Sequence, residues 1–313
     1  MKISFIGAGG VGCSTAFASG LKNLCNEIVL IDLYKDYSIG KAIDLQQAFI
    51  LNEKDVKVIG SDDYNDIKGS DAIVITAGIA TNGNADRESL LEKNKEIIGD
   101  IAKKLTQIIP NDDKQPLIIM VTNPLDVILN HFIKVGNFNK KKTIGSGNWL
   151  DTARFKYYLA QEFNVPESKI NTFVVGQHGK KMVYLLSHTT IDGKPLFDCM
   201  KEKNISMDKM KEIQKRSLNG AETIIKLIVK GGTFYGPAIS ILALLDSYIN
   251  DKKSNLIASV YCDGEYGIND FCIGCPIILG KNGVEKIQVF TDLTEEENKL
   301  LNESKDFINS LNS

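Results

Sequence analysis

Lys2-Ile3-Ser4-Phe5-Ile6-Gly7-Ala8-Gly9-Gly10-Val11-Gly12 runs from an apolar, strand-like segment into a glycine cluster with the spacing G-x-G-x-x-G. Alone, that spacing is a weak signal. Here residues 11–24 read as a helix, and Asp32 closes the next apolar run, 27–31, about twenty residues further on. Gly7 allows a tight turn, Gly9 lets the backbone approach a pyrophosphate, and Gly12 lets the helix lie close to the sheet. Val11 opens the helix in the same cofactor-binding stretch, where free N–H groups and the helix dipole favour phosphate. Asp32 can accept hydrogen bonds from ribose hydroxyls and would repel a 2′-phosphate, so the pattern points to NAD.

Outward from this turn, residues 1–145 alternate short apolar runs with amphipathic segments. Strands are expected at 2–6, 27–31, 56–59, 72–76, 117–121 and 142–144, and helices at 11–24, 39–49, 89–109 and 124–135. Most of the strands are apolar on both faces, as in a parallel sheet covered on two sides. The fold class is α/β: a doubly wound parallel sheet of the Rossmann type, acting as an NAD-binding domain over 1–145. Residues 146–313 lose the strict alternation and read as an α+β substrate domain. It should hold helices at 150–163, 207–230 and 237–250, and strands at 171–175, 256–261, 270–279 and 284–290. A hairpin-like stretch at 183–190 turns at Asp192-Gly193. The last helix follows a capping box, Thr294 to Glu297.

Composition narrows the function. The 313 residues are 43% hydrophobic and 24% charged, and 37 Lys and Arg against 39 Asp and Glu leave a net charge of −2. That balance gives no electrostatic footprint for nucleic acid or an anionic membrane. No run approaches the ~18 apolar residues of a membrane span. The glycines interrupt the first apolar run before a signal peptide could form, so a cytoplasmic location and reduced thiols for the six cysteines are expected. Cys272-Ile-Gly-Cys275 has neither a second pair nor a nearby histidine, so it reads as packing and no metal is expected. The Tyr-x-x-x-Lys pairs Tyr37/Lys41 and Tyr64/Lys68 fall too early in the chain to serve a short-chain dehydrogenase.

Asp151 and Arg154 share one face of a helix, and His178 follows an apolar strand in Val174-Val175-Gly176-Gln177-His178-Gly179. The three residue types suit hydride transfer to a keto acid. A histidine supplies the proton, an aspartate orients it and favours its charged form, and an arginine grips a carboxylate with a planar fork. Spacing alone does not join Arg154 and Asp151 to His178. Resemblance does: residues 145–155 followed by Gly176-Gln177-His178-Gly179 resemble the active site of the L-lactate/L-malate dehydrogenase family. Thr76-Ala77-Gly78, residues 86–94, Val121-Thr122-Asn123-Pro124-Leu125-Asp126, Lys230-Gly231-Gly232-Thr233 and residues 263–267 continue the likeness along essentially the whole chain. The last two look most like bacterial lactate dehydrogenases.

The resemblance implies that Asp151 and His178 transfer the proton and that Arg154 binds the substrate carboxylate. It implies that Arg87, on a closing loop at 79–88, polarises the carbonyl. Asn123 and Thr233 would line the substrate pocket, and Thr76, Ala77, Gly78, Asn94 and Asn123 would contact NAD. A homodimer or homotetramer is also implied. Three positions depart from the family's pattern. Thr81 stands where malate enzymes carry arginine and many lactate enzymes glutamine, which argues against a second substrate carboxylate without picking one monocarboxylate; pyruvate/lactate is the first expectation from the resemblance as a whole. Room beside Thr81 keeps a 2-hydroxyisocaproate-type substrate open. Lys180 follows His178-Gly179, where Asp or Asn is usual. It reads as a surface lysine, or else supplies the missing cation and reopens malate. Gln177 replaces a more usual glutamate. A catalytically silent dinucleotide-binding protein is the non-enzyme alternative.

Overall fold

The computed structural model describes residues 1–79, 87–110, 112–228 and 231–312, without the side chains of 87–89 and 312. The first half runs β1 (Lys2–Ile6), α1 (Gly10–Leu21), β2 (Glu27–Ile31), α2 (Lys35–Leu51), β3 (Lys57–Ser61), β4 (Ala72–Ile75), α3 (Arg87–Thr106), β5 (Leu117–Met120), α4 (Leu125–Gly136) and β6 (Thr143–Gly145). The second runs α5 (Asn148–Phe163), β7 (Ile170–Asn171), β8 (Val174–Gly176), β9 (Met182–Tyr184), β10 (Thr190–Ile191), β11 (Lys194–Pro195) and α6 (Leu196–Glu202). It continues through α7 (Met207–Leu218), α8 (Gly220–Ile228), α9 (Tyr235–Ile249), β12 (Ser254–Asp263), β13 (Asn269–Gly280), β14 (Gly283–Ile287) and α10 (Glu295–Asn312).

Strands β1 to β6 pair in parallel in the order β3-β2-β1-β4-β5-β6. Every residue of β4 and β5 is buried, which is why their sequences are unbroken Ile, Val, Leu and Met apart from Ala72. The order reverses beside β1, between β2 and β4, and the carboxyl ends of strands at such a switch point form a ligand crevice. The sheet does not stop at the expected boundary near residue 145. Ser259 of β12 pairs antiparallel with Gly145 of β6, and the sheet continues through β13, β8 and β9. One hydrophobic core accordingly includes Phe5, Phe132, Val175 and Ile273 from both halves.

Several expected elements differ in extent. The helix expected at 207–230 is two helices, broken at Asn219-Gly220, both weak helix formers. The hairpin expected from 183 is much shorter. Asp192 and Gly193 have φ of 51° and 80°, as a two-residue primed turn requires, but the paired strands are only β10 and β11. Residues 182–184 pair with β8 instead. Helix α2 begins at Lys35 rather than 39, and α6 was not expected. The capping box is reciprocal: Glu297 N–H donates to Thr294 Oγ1 at 3.2 Å and Thr294 N–H to Glu297 Oε2 at 3.0 Å. No helix among the described residues is long and apolar enough to cross a membrane.

Candidate active site

The glycine turn is built as its spacing requires. Gly7 has φ 107°, and a Cβ there would come within 2.6 Å of Thr76 Oγ1. A Cβ on Gly12 would lie 2.2 Å from the Gly7 carbonyl oxygen, so α1 packs directly on the turn. A Cβ on Gly9 would meet nothing within 4 Å, and the backbone there faces open space. Helix α1 has no side-chain cap and no acidic residue in its first turn, which leaves the N–H groups of Gly10, Val11 and Gly12 available to an anion. Asp32 is half-buried just past β2, where its carboxylate accepts Ala8 N–H at 2.9 Å and Tyr34 N–H at 3.2 Å. Each oxygen keeps a second lone pair for a ribose hydroxyl. Thr76 Oγ1 donates to the Gly7 carbonyl at 3.0 Å, which locks the Thr76-Ala77-Gly78 turn to the glycine loop. These residues fit an NAD pyrophosphate and adenosine ribose.

Asn94 is held by backbone. Its side chain is fully buried, accepts Ile79 N–H at 2.8 Å, and donates to the carbonyls of Ile79 and Asn123 at 3.2 and 2.8 Å. Its amide protons are taken by backbone, so it braces the segments on either side. Asn123 itself is exposed just past β5. Thr233 is half-buried, and the next residue, Phe234, lies against Gly10. Thr81 and the rest of 80–86, with Lys230 and the Arg87 side chain, lie outside the described residues.

The other half of the site gathers on α5 and the loop after β8. His178 Nδ1 donates to Asp151 Oδ2 at 2.6 Å, and Arg154 Nη1 donates to Asp151 Oδ1 at 3.1 Å. The Asp151 side chain is 1% exposed, Arg154 15% and His178 17%, so the carboxylate is sealed while the two cations reach the surface of the crevice. Burial is the largest effect on the imidazole and pulls its pKa down. The charge and hydrogen bond of Asp151, joined by the charge of Asp126, outweigh it and hold His178 above its ordinary value. Only one guanidinium nitrogen of Arg154 is hydrogen-bonded among the described residues, which leaves donors for a carboxylate.

The loop carrying His178 is pinned from four directions. Gln177 N–H donates to Ser304 Oγ of α10 at 2.7 Å, and Asn148 Nδ2 to the Gly176 carbonyl at 3.0 Å. The imidazole rests on Gly147, where a Cβ would lie 2.6 Å from its Cγ. His178 N–H donates to Asp126 Oδ2 at 2.8 Å, and Ser259 Oγ to Asp126 Oδ1 at 2.6 Å. Asp126, Ser259 and Gly147 were not picked out from sequence as functional. A signal for the first existed: Leu125-Asp126-Val127-Ile128-Leu129 sets one carboxylate inside an otherwise apolar helix start. Lys180 is exposed, with no ion pair among the described residues, whereas Lys181 pairs with Glu303 at 2.9 Å.

Known proteins align with both halves. Residues 1–145 match the model of the lactate/malate dehydrogenase NAD binding domain, and residues 149–310 that of the lactate/malate dehydrogenase alpha/beta C-terminal domain. The chain is 40% identical to a malate dehydrogenase of Pelagibacter ubique, across 99% of this chain and 95% of that protein. It is 37% identical to a malate dehydrogenase of Ehrlichia canis, across 99% and 97%. Among solved structures, a malate dehydrogenase of Cryptosporidium parvum superposes with a TM-score of 0.93 at 34% identity, across 99% of this chain and 97% of the other. A lactate dehydrogenase of the same organism, complexed with lactic acid and NAD, gives 0.93 at 35%, across 99% and 96%.

Proposed function

The chain belongs to the lactate/malate dehydrogenase family, and from that premise we propose that it interconverts L-lactate and pyruvate with NAD. The observation that carries the reading is the sealed Asp151 carboxylate shared between His178 Nδ1 and Arg154 Nη1. In the direction of reduction, protonated His178 gives its Nε2 proton to the carbonyl oxygen, and Asp151 stabilises the imidazolium before the transfer. The free edge of Arg154 holds the substrate carboxylate, and Arg87, the first residue of α3, polarises the carbonyl and excludes water. The bound nicotinamide supplies the hydride. Residues 1–145 serve as the cofactor domain and 146–313 as the substrate domain.

Thr81 supports a monocarboxylate, since a buried second carboxylate without a partner costs several kcal/mol. The curated relatives named malate dehydrogenase favour a second reading, oxaloacetate. A homo-oligomer in the cytoplasm belongs to the same proposal. Exposed Ile50 and Leu51 on α2, and Ile225 and Leu227 on α8, support an association surface. NADH consumption with pyruvate, 2-ketoisocaproate and oxaloacetate tests the reading, with Lys180→Ala beside the wild type. Pyruvate turnover well above oxaloacetate is expected. Strong oxaloacetate turnover that Lys180→Ala removes would establish the malate reading, and NADH binding without turnover of any keto acid would exclude an enzyme of this class.

A further inference from the structure

Asp126 is the second residue of α4, whose neighbours Leu125, Val127, Ile128 and Leu129 are all buried and apolar. It is 2% exposed, and a carboxylate that deep is costly unless donors satisfy it. Two do, from separate parts of the chain: His178 N–H from the loop after β8, and Ser259 Oγ from β12. Three segments therefore meet at one carboxylate, which touches the main chain of His178 while Asp151 holds its ring. The other titratable groups acting on Asp126 are His178 and Asp151. From β13, burial pushes the Cys272 thiol well above the usual thiol range, and the contact with Cys262 together with burial does the same to Cys275; the charge of Asp126 adds to both, so they stay neutral.

We propose that Asp126 is a positioning residue for the proton-transferring imidazole. It fixes the His178 main chain through a charge-assisted hydrogen bond and adds a second buried negative charge that favours the imidazolium. This deepens the reading of His178 as proton carrier and rests on it. Burial pushes the Asp126 carboxyl up to about 6 against the pull of its two hydrogen bonds. Above that pH the charge is present. Below it the carboxyl is neutral, and one of its oxygens must accommodate a proton beside an existing donor.

Asp126→Asn isolates the charge. The amide oxygen can still accept His178 N–H, and its nitrogen can face Ser259, whose hydroxyl turns from donor to acceptor. An NMR titration of the His178 imidazole in the unliganded protein should show its midpoint lowered by about one pH unit. The acid limb of kcat/KM for 2-hydroxy acid oxidation, which needs neutral His178, should move the same way, with NADH affinity unchanged. An unmoved imidazole midpoint overturns the inference. If Asp126→Asn does not fold, Ser259→Ala keeps the charge and removes one donor. The inflection carried by the His178 amide proton, near 6 in the wild type, should then move upward, and an amide shift that ignores it refutes the contact. An inactive wild type would remove the proposed reaction and leave the NMR result standing, whereas an active enzyme with an unmoved His178 would remove this inference alone.

Discussion

Asp151→Asn separates the charge at the centre of the site from its shape. Asp151 is 1% exposed and its two oxygens are divided between His178 Nδ1, at 2.6 Å, and Arg154 Nη1, at 3.1 Å. Asparagine retains one acceptor and turns an N–H₂ toward either the ring or the guanidinium. A hydrogen bond to a charged group contributes roughly 1.5–3 kcal/mol. At about 1.36 kcal/mol per pKa unit, its loss lowers the His178 midpoint by about one to two units. Well above both midpoints, the protonated fraction falls about 10- to 100-fold and keto-acid reduction falls with it. Arg154 loses its brace at the same time, so KM for the keto acid should rise. The assay is kcat/KM for NADH-dependent reduction across pH, paired with a fluorescence titration of NADH. Part of the lost rate should return as pH falls toward the lowered midpoint, and NADH affinity should be unaffected. A variant within about threefold of wild type, less than ~1 kcal/mol in the barrier, with an unmoved pH profile would refute the reasoning.

Two further outcomes follow from the geometry. Gly9→Ala should leave the melting temperature near that of wild type yet weaken NADH binding, since its Cβ meets only open space. Gly12→Ala, with its Cβ 2.2 Å from the Gly7 carbonyl oxygen, should cost about 1–3 kcal/mol of stability, and equal melting temperatures for the two variants would contradict the packing argument. Stability should also depend on pH through His178. Its folded pKa is raised, so the contribution is complete below about 6.5 and is lost as pH rises through the folded midpoint. His178→Asn should flatten that fall, and parallel melting curves for the variant and wild type between pH 6 and 9 would count against it.

What could be read from sequence was what depends on near neighbours. The strand, glycine turn and helix at 2–24 are one local unit, and a buried parallel sheet writes itself as apolar runs such as Leu117-Ile118-Ile119-Met120. Asp151 and Arg154 could be placed together because i and i+3 share a helix face. The continuation of the sheet depends on Ser259 meeting Gly145, a pairing that no local pattern encodes. The same distance hid Asp126, whose partners lie 52 and 133 residues away. It also hid the approach of Gly220 to Arg154, where a Cβ would come within 3.3 Å of Arg154 Cδ, although the Asn219-Gly220 pair that breaks α7 from α8 is itself a local signal. The bracing role of Asn94 was hidden for a related reason, because its sequence position cannot show that backbone takes its amide protons.

Charge balance links the proton carrier to the choice of substrate. With His178 protonated, Asp126 and Asp151 offset His178 and Arg154, and this group of four is neutral. A 2-keto monocarboxylate adds one negative charge, which Arg87 at the start of α3 can balance under the proposed role. A dicarboxylate adds a second, and Ala80-Thr81-Asn82-Gly83-Asn84-Ala85-Asp86 contains no lysine or arginine to meet it. Asp86 adds a further negative charge to the same stretch. The exposed Lys180 is left as the nearby cation on the His178 loop for a malate-type substrate, and an exposed ammonium is strongly screened compared with a buried guanidinium. This charge balance is the support for the proposed monocarboxylate over a dicarboxylate, and it stands against the names of the relatives, which are malate dehydrogenase. Selection between the two acids would rest on one added cation rather than on the proton-transfer machinery that both would share.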